Sequence, residues 1–451
     1  MQIKENLIAV AGYTVAAMAL VYTAASLMLC LSPSMAEHAF GMLSMQNRMI
    51  PPFADLRAIT ALAGCSADID HVMRGISAGC DPYGRSGGLG YPPLIFELAR
   101  STGASASWTG PAAMVCGVLF IAIILRDIKH SGLIKRHQAW LLAAILIGFP
   151  TQLGLERMNL DIAIFIGLRL LAWTREADSR TGIGSWLSKA TCFCLALLLG
   201  GAKVYPSLGL LLWLGCELGI QKRCKSIDLW IAAGAITGGL TAVPWILSGD
   251  QYAVPAISLT SHGLIAGRSG EAGGAFLSIV SASVACLGYA YSLKCFRNTN
   301  TANTNGPKNN RERAKGYNDW PWIRLSFATW LVSYAVTASF DYRLVLLYPA
   351  LIGLAANIGS IGGMQSKQRR LLAVASVLTI VYMLTPLTYM ASESLQIPIT
   401  SFKGWLYSPL RMTLKYGSAS LSRLLDSIGL PFIAGTAAGY IQASTPSGGG
   451  K

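Results

Sequence analysis

Apolar runs of close to twenty residues alternate with short polar connections along most of the chain. A helical run of that length matches the hydrocarbon thickness of a bilayer, so the pattern predicts an all-α polytopic membrane protein. The predicted spans are 7–31, 108–126, 139–155, 159–173, 188–200, 204–220, 228–248, 275–293, 323–339, 342–360 and 371–391, with a further one at 428–442. That makes a bundle of about 11–12 transmembrane helices with a long external loop, 33–107, after the first. The first run has no small-residue cleavage signal behind it and is expected to remain as a helix.

Residues 1–442 are thus expected to form a single transmembrane domain, with 443–451, ending Ser447-Gly-Gly-Gly-Lys451, as a disordered tail. The stretch Asn298–Asn318 is rich in Asn and Thr, then basic, with no apolar period. It lies in a connection, 294–322, expected to be a flexible basic linker. Residues 392–427 fit less well. Lys403, Arg411, Lys415 and Arg423 alternate there with Trp405, Leu406, Leu410 and Leu414, as in an interfacial amphipathic helix. A different count of the last spans fits them too.

Composition supports the membrane reading: 53% of residues are hydrophobic, only 13% charged, and mean hydropathy is +0.48. Soluble domains carry about a quarter charged residues. The net charge of +15 does not point to nucleic acid, because the basic residues fall in short clusters between apolar runs. Connections 127–138, 174–187, 221–227, 294–322 and 361–370 each have at least three Lys or Arg in or beside them. By the positive-inside rule these face the cytoplasm, with attraction to anionic lipids in addition.

With that orientation the ionisable residues at the span edges collect on the outer face. Glu156, Arg157, Asn159 and Asp161 share one turn, Lys203 and Tyr205 another; His262 and Arg268 lie in a loop, and Asp341, Tyr342 and Arg343 in a fourth connection. Charges held at the hydrocarbon edge pair with each other or line a polar cavity. Four converging cations suit an anionic ligand, arginine through bidentate phosphate contacts and lysine as a point charge. Asp55, just past the first span, is a candidate general base toward an alcohol; a helix-capping role fits it equally. Arg57 is placed either to pair locally or to touch substrate.

Cys65 and Cys80 are the two cysteines placed clearly outside. Either they form a disulfide, contributing roughly 3 kcal/mol through chain entropy, or they remain thiols. No CxxC pair, His-rich cluster or DxD beside Asp55 marks a metal site, so neither metal nor cofactor is expected.

Several short motifs resemble one family. An early external aspartate, then Gly79-Cys80-Asp81-Pro82-Tyr83 and Tyr91-Pro92-Pro93-Leu94, resemble the first external loop of polyprenol-phosphate-dependent glycosyltransferases of the GT-C type. The mannosyl- and arabinofuranosyltransferases similar to family 87 are the nearest in pattern. Arg157-Met158-Asn159-Leu160-Asp161 resembles that group's polar turn, Lys203-Val204-Tyr205-Pro206 its Lys-x-Tyr-Pro element, and Ser339-Phe340-Asp341-Tyr342-Arg343-Leu344 with Pro349 a late motif. The Cys65/Cys80 pair and His262/Arg268 have no counterpart in the pattern.

The resemblance implies a GT-C-like bundle in a bacterial inner membrane, its site facing the periplasm. It further implies an inverting hexosyl- or pentosyltransferase that takes a sugar from a polyprenyl-phosphate donor to a hydroxyl of a glycan or glycolipid acceptor. Asp55 would be the base. Arg57, Arg157, Asn159, Lys203, Tyr205, His262, Arg268 and Arg343 would hold the donor phosphate, and Tyr83, Tyr91, Asp161 and Asp341 would contact sugar or acceptor. The alternative is a transporter or a lipid-linked oligosaccharide flippase. Against it stand the lack of an inverted repeat and the expectation that ionisable residues cluster at one face.

Overall fold

The computed structural model describes residues 2–29, 53–63, 92–131, 133, 135–177, 183–221, 225–247, 320–336 and 341–360, with isolated positions between 283 and 436. All regular structure among them is helical, as the apolar period requires. The elements are α1 (Gln2–Leu29), α2 (Ala54–Ala63), α3 (Pro93–Ser101), α4 (Thr109–His130), α5 (Lys135–Ile147), α6 (Phe149–Arg157), α7 (Leu160–Ala177), α8 (Ile183–Ala202), α9 (Val204–Gln221), α10 (Ser226–Leu247), α11 (Trp320–Val336) and α12 (Tyr348–Ser360). A 3-10 turn over Ala106–Trp108 leads into α4, and another over Asp341–Leu347 leads into α12.

Three helical segments, Leu7–Ala25, Ala106–His130 and Ile183–Ala202, are long and apolar enough to cross a membrane, and α5 with α6 makes a fourth if the bent pair is one span. Shorter apolar helices cover Val204–Leu218, Ser226–Ala242 and Arg343–Gly353. The described residues are those of an all-α membrane protein. Apart from those isolated positions, the predicted spans 275–293, 371–391 and 428–442 lie outside the described residues, as do the linker, the amphipathic stretch 392–427, the tail and most of the external loop.

Two predicted spans are not single helices. Residues 139–155 break at Gly148–Pro150, where α5 and α6 meet at 49°. Pro150 has no N–H to give the carbonyl of Leu146, and a carbonyl left bare in an apolar surrounding is costly. Side chains meet the need: Gln152 Nε2 donates to Leu146 O at 2.5 Å and Thr151 Oγ1 to Ile145 O at 2.6 Å. The same two residues tie the bend to its neighbours, Gln152 to Thr23 on α1 at 3.0 Å and Thr151 to the Tyr348 hydroxyl at 2.7 Å. Residues 342–360, expected as one helix, begin with the 3-10 turn; Ser326 Oγ on α11 donates to Leu346 O there at 2.5 Å.

Close helix approach is set by small residues. A Cβ at Gly234 or Gly238 of α10 would stand 2.4 Å from the carbonyl oxygen of Phe193 or Leu197 on α8, so only glycine admits this contact. Ser207 Oγ on α9 also donates to Ala235 O on α10, at 2.7 Å. The ends of α8 and α9 are thereby fixed, and Lys203 sits between them. At the centre, Phe120, Phe165, Trp322 and Tyr348 pack ring to ring across α4, α7, α11 and α12.

The expectation that ionisable residues gather at one face is corrected by a second, buried set. Arg169 on α7 meets Asp127 on α4 at 2.8 Å, and Trp322 Nε1 donates to the other Asp127 oxygen at 2.8 Å. Arg175 at the end of α7 pairs with Asp228 on α10 at 2.7 Å and lies 4.0 Å from Glu217 on α9, which Arg324 on α11 meets at 2.5 Å. None of these charged side chains is more than 7% exposed. Arg169 also lies over the rings of Trp173 and Trp322, and Arg175 over Trp213.

Candidate functional site

Residues from four separate parts of the chain converge at the other end of α7. The turn between α6 and α7 does much of the work. Met158 takes a left-handed conformation, φ 44 and ψ 57, and ends α6 right after Arg157. Glycine usually fills such a position. Asn159 then caps α7, its Oδ1 accepting from the Asp161 N–H at 2.9 Å. This compact junction sets Arg157, Asn159 and Asp161 within five residues of one another.

Asp55 reaches the junction from α2. Phe53, also left-handed at φ 58, is 2% exposed and donates its N–H to Glu156 O at 2.8 Å. Its carbonyl accepts from Arg57 N at 2.8 Å, closing the first turn of α2. Phe53 and Met158 are the two non-glycine residues with positive φ among the described residues, and both stand at this junction. Such conformations cost on the order of 1–3 kcal/mol each and persist where surrounding structure imposes them. Thr60 on α2, hydrogen-bonded to Thr109 at 2.6 Å, holds the helix against α4.

Asp55 lies in the first turn of α2, and its carboxylate bonds across elements rather than capping its own helix. Arg157 Nε donates to both of its oxygens at 3.1 Å and Nη2 to Oδ1 at 2.7 Å. Asn159 Nδ2 donates to Oδ2. The pair is only partly shielded, with the Arg157 side chain 24% and the Asp55 side chain 11% exposed.

Asp161, with no exposed surface, sits beneath this pair in the first turn of α7. Lys203 Nζ lies 2.7 Å from its Oδ1, the Tyr205 hydroxyl donates to the same oxygen, and Arg343 Nε is 3.7 Å from Oδ2. Lys203 also donates to Asn159 Oδ1 at 3.3 Å, and Arg343 stacks over the Tyr205 ring at 5.2 Å. Burial pushes the Lys203 ammonium below the usual lysine range. The Asp161 carboxylate opposes that shift, and the neighbouring Arg343 adds to it.

Of the sequence-predicted residues, Asp55, Arg157, Asn159, Asp161, Lys203, Tyr205 and Arg343 form one connected cluster. Arg57 is exposed and, two positions beyond Asp55, lies about 200° around the helix from it. Asp341 opens the 3-10 turn two residues before Arg343. Tyr83, Tyr91, His262, Arg268, Cys65 and Cys80 lie outside the described residues. Glu156, which shares the turn with Arg157, holds Phe53 through its backbone carbonyl, and Arg157 reaches Asp55. What sequence reasoning missed is the left-handed backbone of Phe53 and its bond to Glu156, which anchor α2 and which no local pattern signals.

Among the described residues no three His, Cys, Asp or Glu side chains are placed to hold a metal. No family model matches the chain, and neither a curated protein nor a solved structure matches it.

Proposed function

We propose that this chain is a membrane glycosyltransferase that moves a sugar from a polyprenyl-phosphate donor to an acceptor hydroxyl, with inversion. The observation that carries the reading is the convergence of Arg157, Lys203 and Arg343 on a single cluster with Asp55 at its partly exposed edge. An anion arriving there competes with Asp55 for the bidentate Arg157, since guanidinium binds phosphate and carboxylate with one geometry. The exchange bares Asp55 beside the bound phosphate.

In the reaction, Asp55 takes the proton of the acceptor hydroxyl while its oxygen forms the new bond to the anomeric carbon. The anomeric carbon–phosphate oxygen bond breaks, and its electron pair stays on the leaving phosphate. The phosphodiester monoanion becomes a monoester dianion, and the cations stabilise the charge that develops. The buried Asp161 anchors Lys203, Tyr205 and Arg343 rather than meeting the sugar. The motifs resembling GT-C glycosyltransferases supply these same side chains and favour a bundle of about 11–12 spans. In that setting the lipid tail lies between helices, the site faces the periplasm of a bacterial inner membrane, and the acceptor is a glycan or glycolipid.

The test uses purified full-length protein in detergent with decaprenyl-phosphate mannose or decaprenyl-phosphate arabinofuranose and a glycolipid extract as acceptor. Release of decaprenyl phosphate is followed by mass spectrometry. Wild type is expected to release it and Asp55→Asn to lose the activity by about 10²–10⁴-fold. Full activity in Asp55→Asn removes the base assignment. Solute movement in liposomes with no sugar transfer establishes the transporter reading instead.

A further inference from the structure

We infer that Asn159 is a positioning residue: its side-chain amide joins the Asp55–Arg157 pair to the Asp161–Lys203 pair and aims Asp55 at the acceptor. The inference deepens the proposed function and rests on it. Asn159 is 2% exposed, and its amide is engaged on both sides. Nδ2 donates to Asp55 Oδ2, while Oδ1 accepts from Asp161 N–H at 2.9 Å and from Lys203 Nζ at 3.3 Å. Both acceptor positions of Oδ1 are therefore filled, which fixes the orientation of the amide with Nδ2 toward Asp55.

The cap on α7 requires only the oxygen. Asp, Ser or Thr would serve a helix N-terminus as well, but an ionised Asp has no donor for Asp55, and the donor hydroxyl of Ser or Thr sits on too short a side chain to span to it. Asparagine is the favoured capping side chain that accepts from α7 with one atom and, with a second, is long enough to donate across to α2. With Arg157 swung to an incoming phosphate, the Asn159 contact is what keeps the Asp55 carboxylate in place. It leaves Oδ1 of Asp55 open for the acceptor proton.

Asn159→Ser separates the two roles, because serine keeps the cap and is too short to reach Asp55. With the donor sugar turned over in the assay above, kcat is expected to fall about 10- to 100-fold, the effect of a misplaced group. KM for the donor and the affinity for decaprenyl phosphate, read by microscale thermophoresis, should stay within about two-fold. Asn159→Asp, which turns a carboxylate toward Asp55, should lose more kcat than Asn159→Ser. A KM or decaprenyl phosphate affinity weakened in Asn159→Ser as much as in Arg157→Met would make Asn159 a phosphate ligand and overturn the inference.

Thermal unfolding of Asn159→Ser, Asp55→Asn and the double variant gives a readout independent of turnover. The two changes are expected to be non-additive, as for residues in contact. Non-additivity in a protein that transfers no sugar would retire the glycosyltransferase reading and leave the Asn159–Asp55 link standing. Simple additivity would overturn the link itself.

Discussion

The two ends of α7 carry charge clusters made from the same residue types and finished in different ways. At one end Arg169, Arg175 and Arg324 meet Asp127, Glu217 and Asp228, with tryptophan rings laid over the guanidinium groups and almost no surface left. At the other, Arg157, Lys203 and Arg343 meet Asp55 and Asp161, and the Arg157–Asp55 pair keeps an exposed edge. A sealed set of ion pairs holds helices in register and has nothing further to offer a ligand. The half-open set can exchange a carboxylate for an incoming anion without stripping water from new charges. Left-handed residues that fit their positions poorly occur at the half-open end, where strain that serves chemistry is expected.

Removing one carboxylate from each end tests the contrast most severely. Asp161→Asn leaves Lys203 and Arg343 facing each other in a buried place, and about 3–5 kcal/mol of stability should go with it, together with nearly all transfer. Asp228→Asn should lower thermal stability by a similar amount. The protein that remains folded, however, should keep kcat within about two-fold, because that end has no part in the chemistry. Equal loss of kcat in folded samples of both variants would break the comparison.

Arg157→Met probes the exposed edge alone. Transfer should drop about 100-fold, while unfolding should change by only about 1 kcal/mol because partly exposed pairs contribute little. A fall in stability as large as that of Asp228→Asn would show the edge to be as structural as the sealed end.

The pH dependence sharpens the role of Lys203. A lysine is charged below its pKa, and this one is pushed down from 10.5 by burial. Its charge, and with it kcat/KM, should disappear as pH rises past a value below the ordinary lysine range. Lys203→Arg should carry the alkaline limb to higher pH. Linkage runs the other way for folding. The unfolded chain holds that proton more tightly, so the stability contributed at this position rises between the lowered folded value and 10.5. The smallest effect belongs to Thr60→Val, which loses the bond to Thr109 at about 1 kcal/mol and should leave transfer within about two-fold.

Much of the helical layout could be read from the apolar period. Residues 204–220 and 228–248 were expected, and α9 and α10 cover 204–221 and 226–247. The clustering of Asp55, Arg157, Lys203 and Arg343 was legible in part, because short turns hold their charged residues at the ends of neighbouring helices. Which charge meets which was not. Arg157 bonds 102 positions back to Asp55, and no local pattern encodes that distance. The sealed cluster escaped for a related reason: Asp127, Glu217 and Asp228 are far apart in sequence, and their arginine partners are set only by the packing of α4, α7, α9, α10 and α11. Positive φ at Phe53 and Met158 runs against the preference of both residue types, so tertiary contacts, and not propensity, determine it.

One consequence concerns the length of α7. Asp161 and Arg175 are fourteen positions apart in sequence, about 21 Å along a helix and some 40° short of full register around it. The helix therefore works as a ruler whose two marks both have to be met. Inserting one residue between them would shift the far mark by about 1.5 Å and turn it by about 100°, so one cluster or the other would lose its partners. Deletions and insertions should be excluded from α7, whatever apolar residues they add, as from the short junctions that carry Asn159 and Lys203.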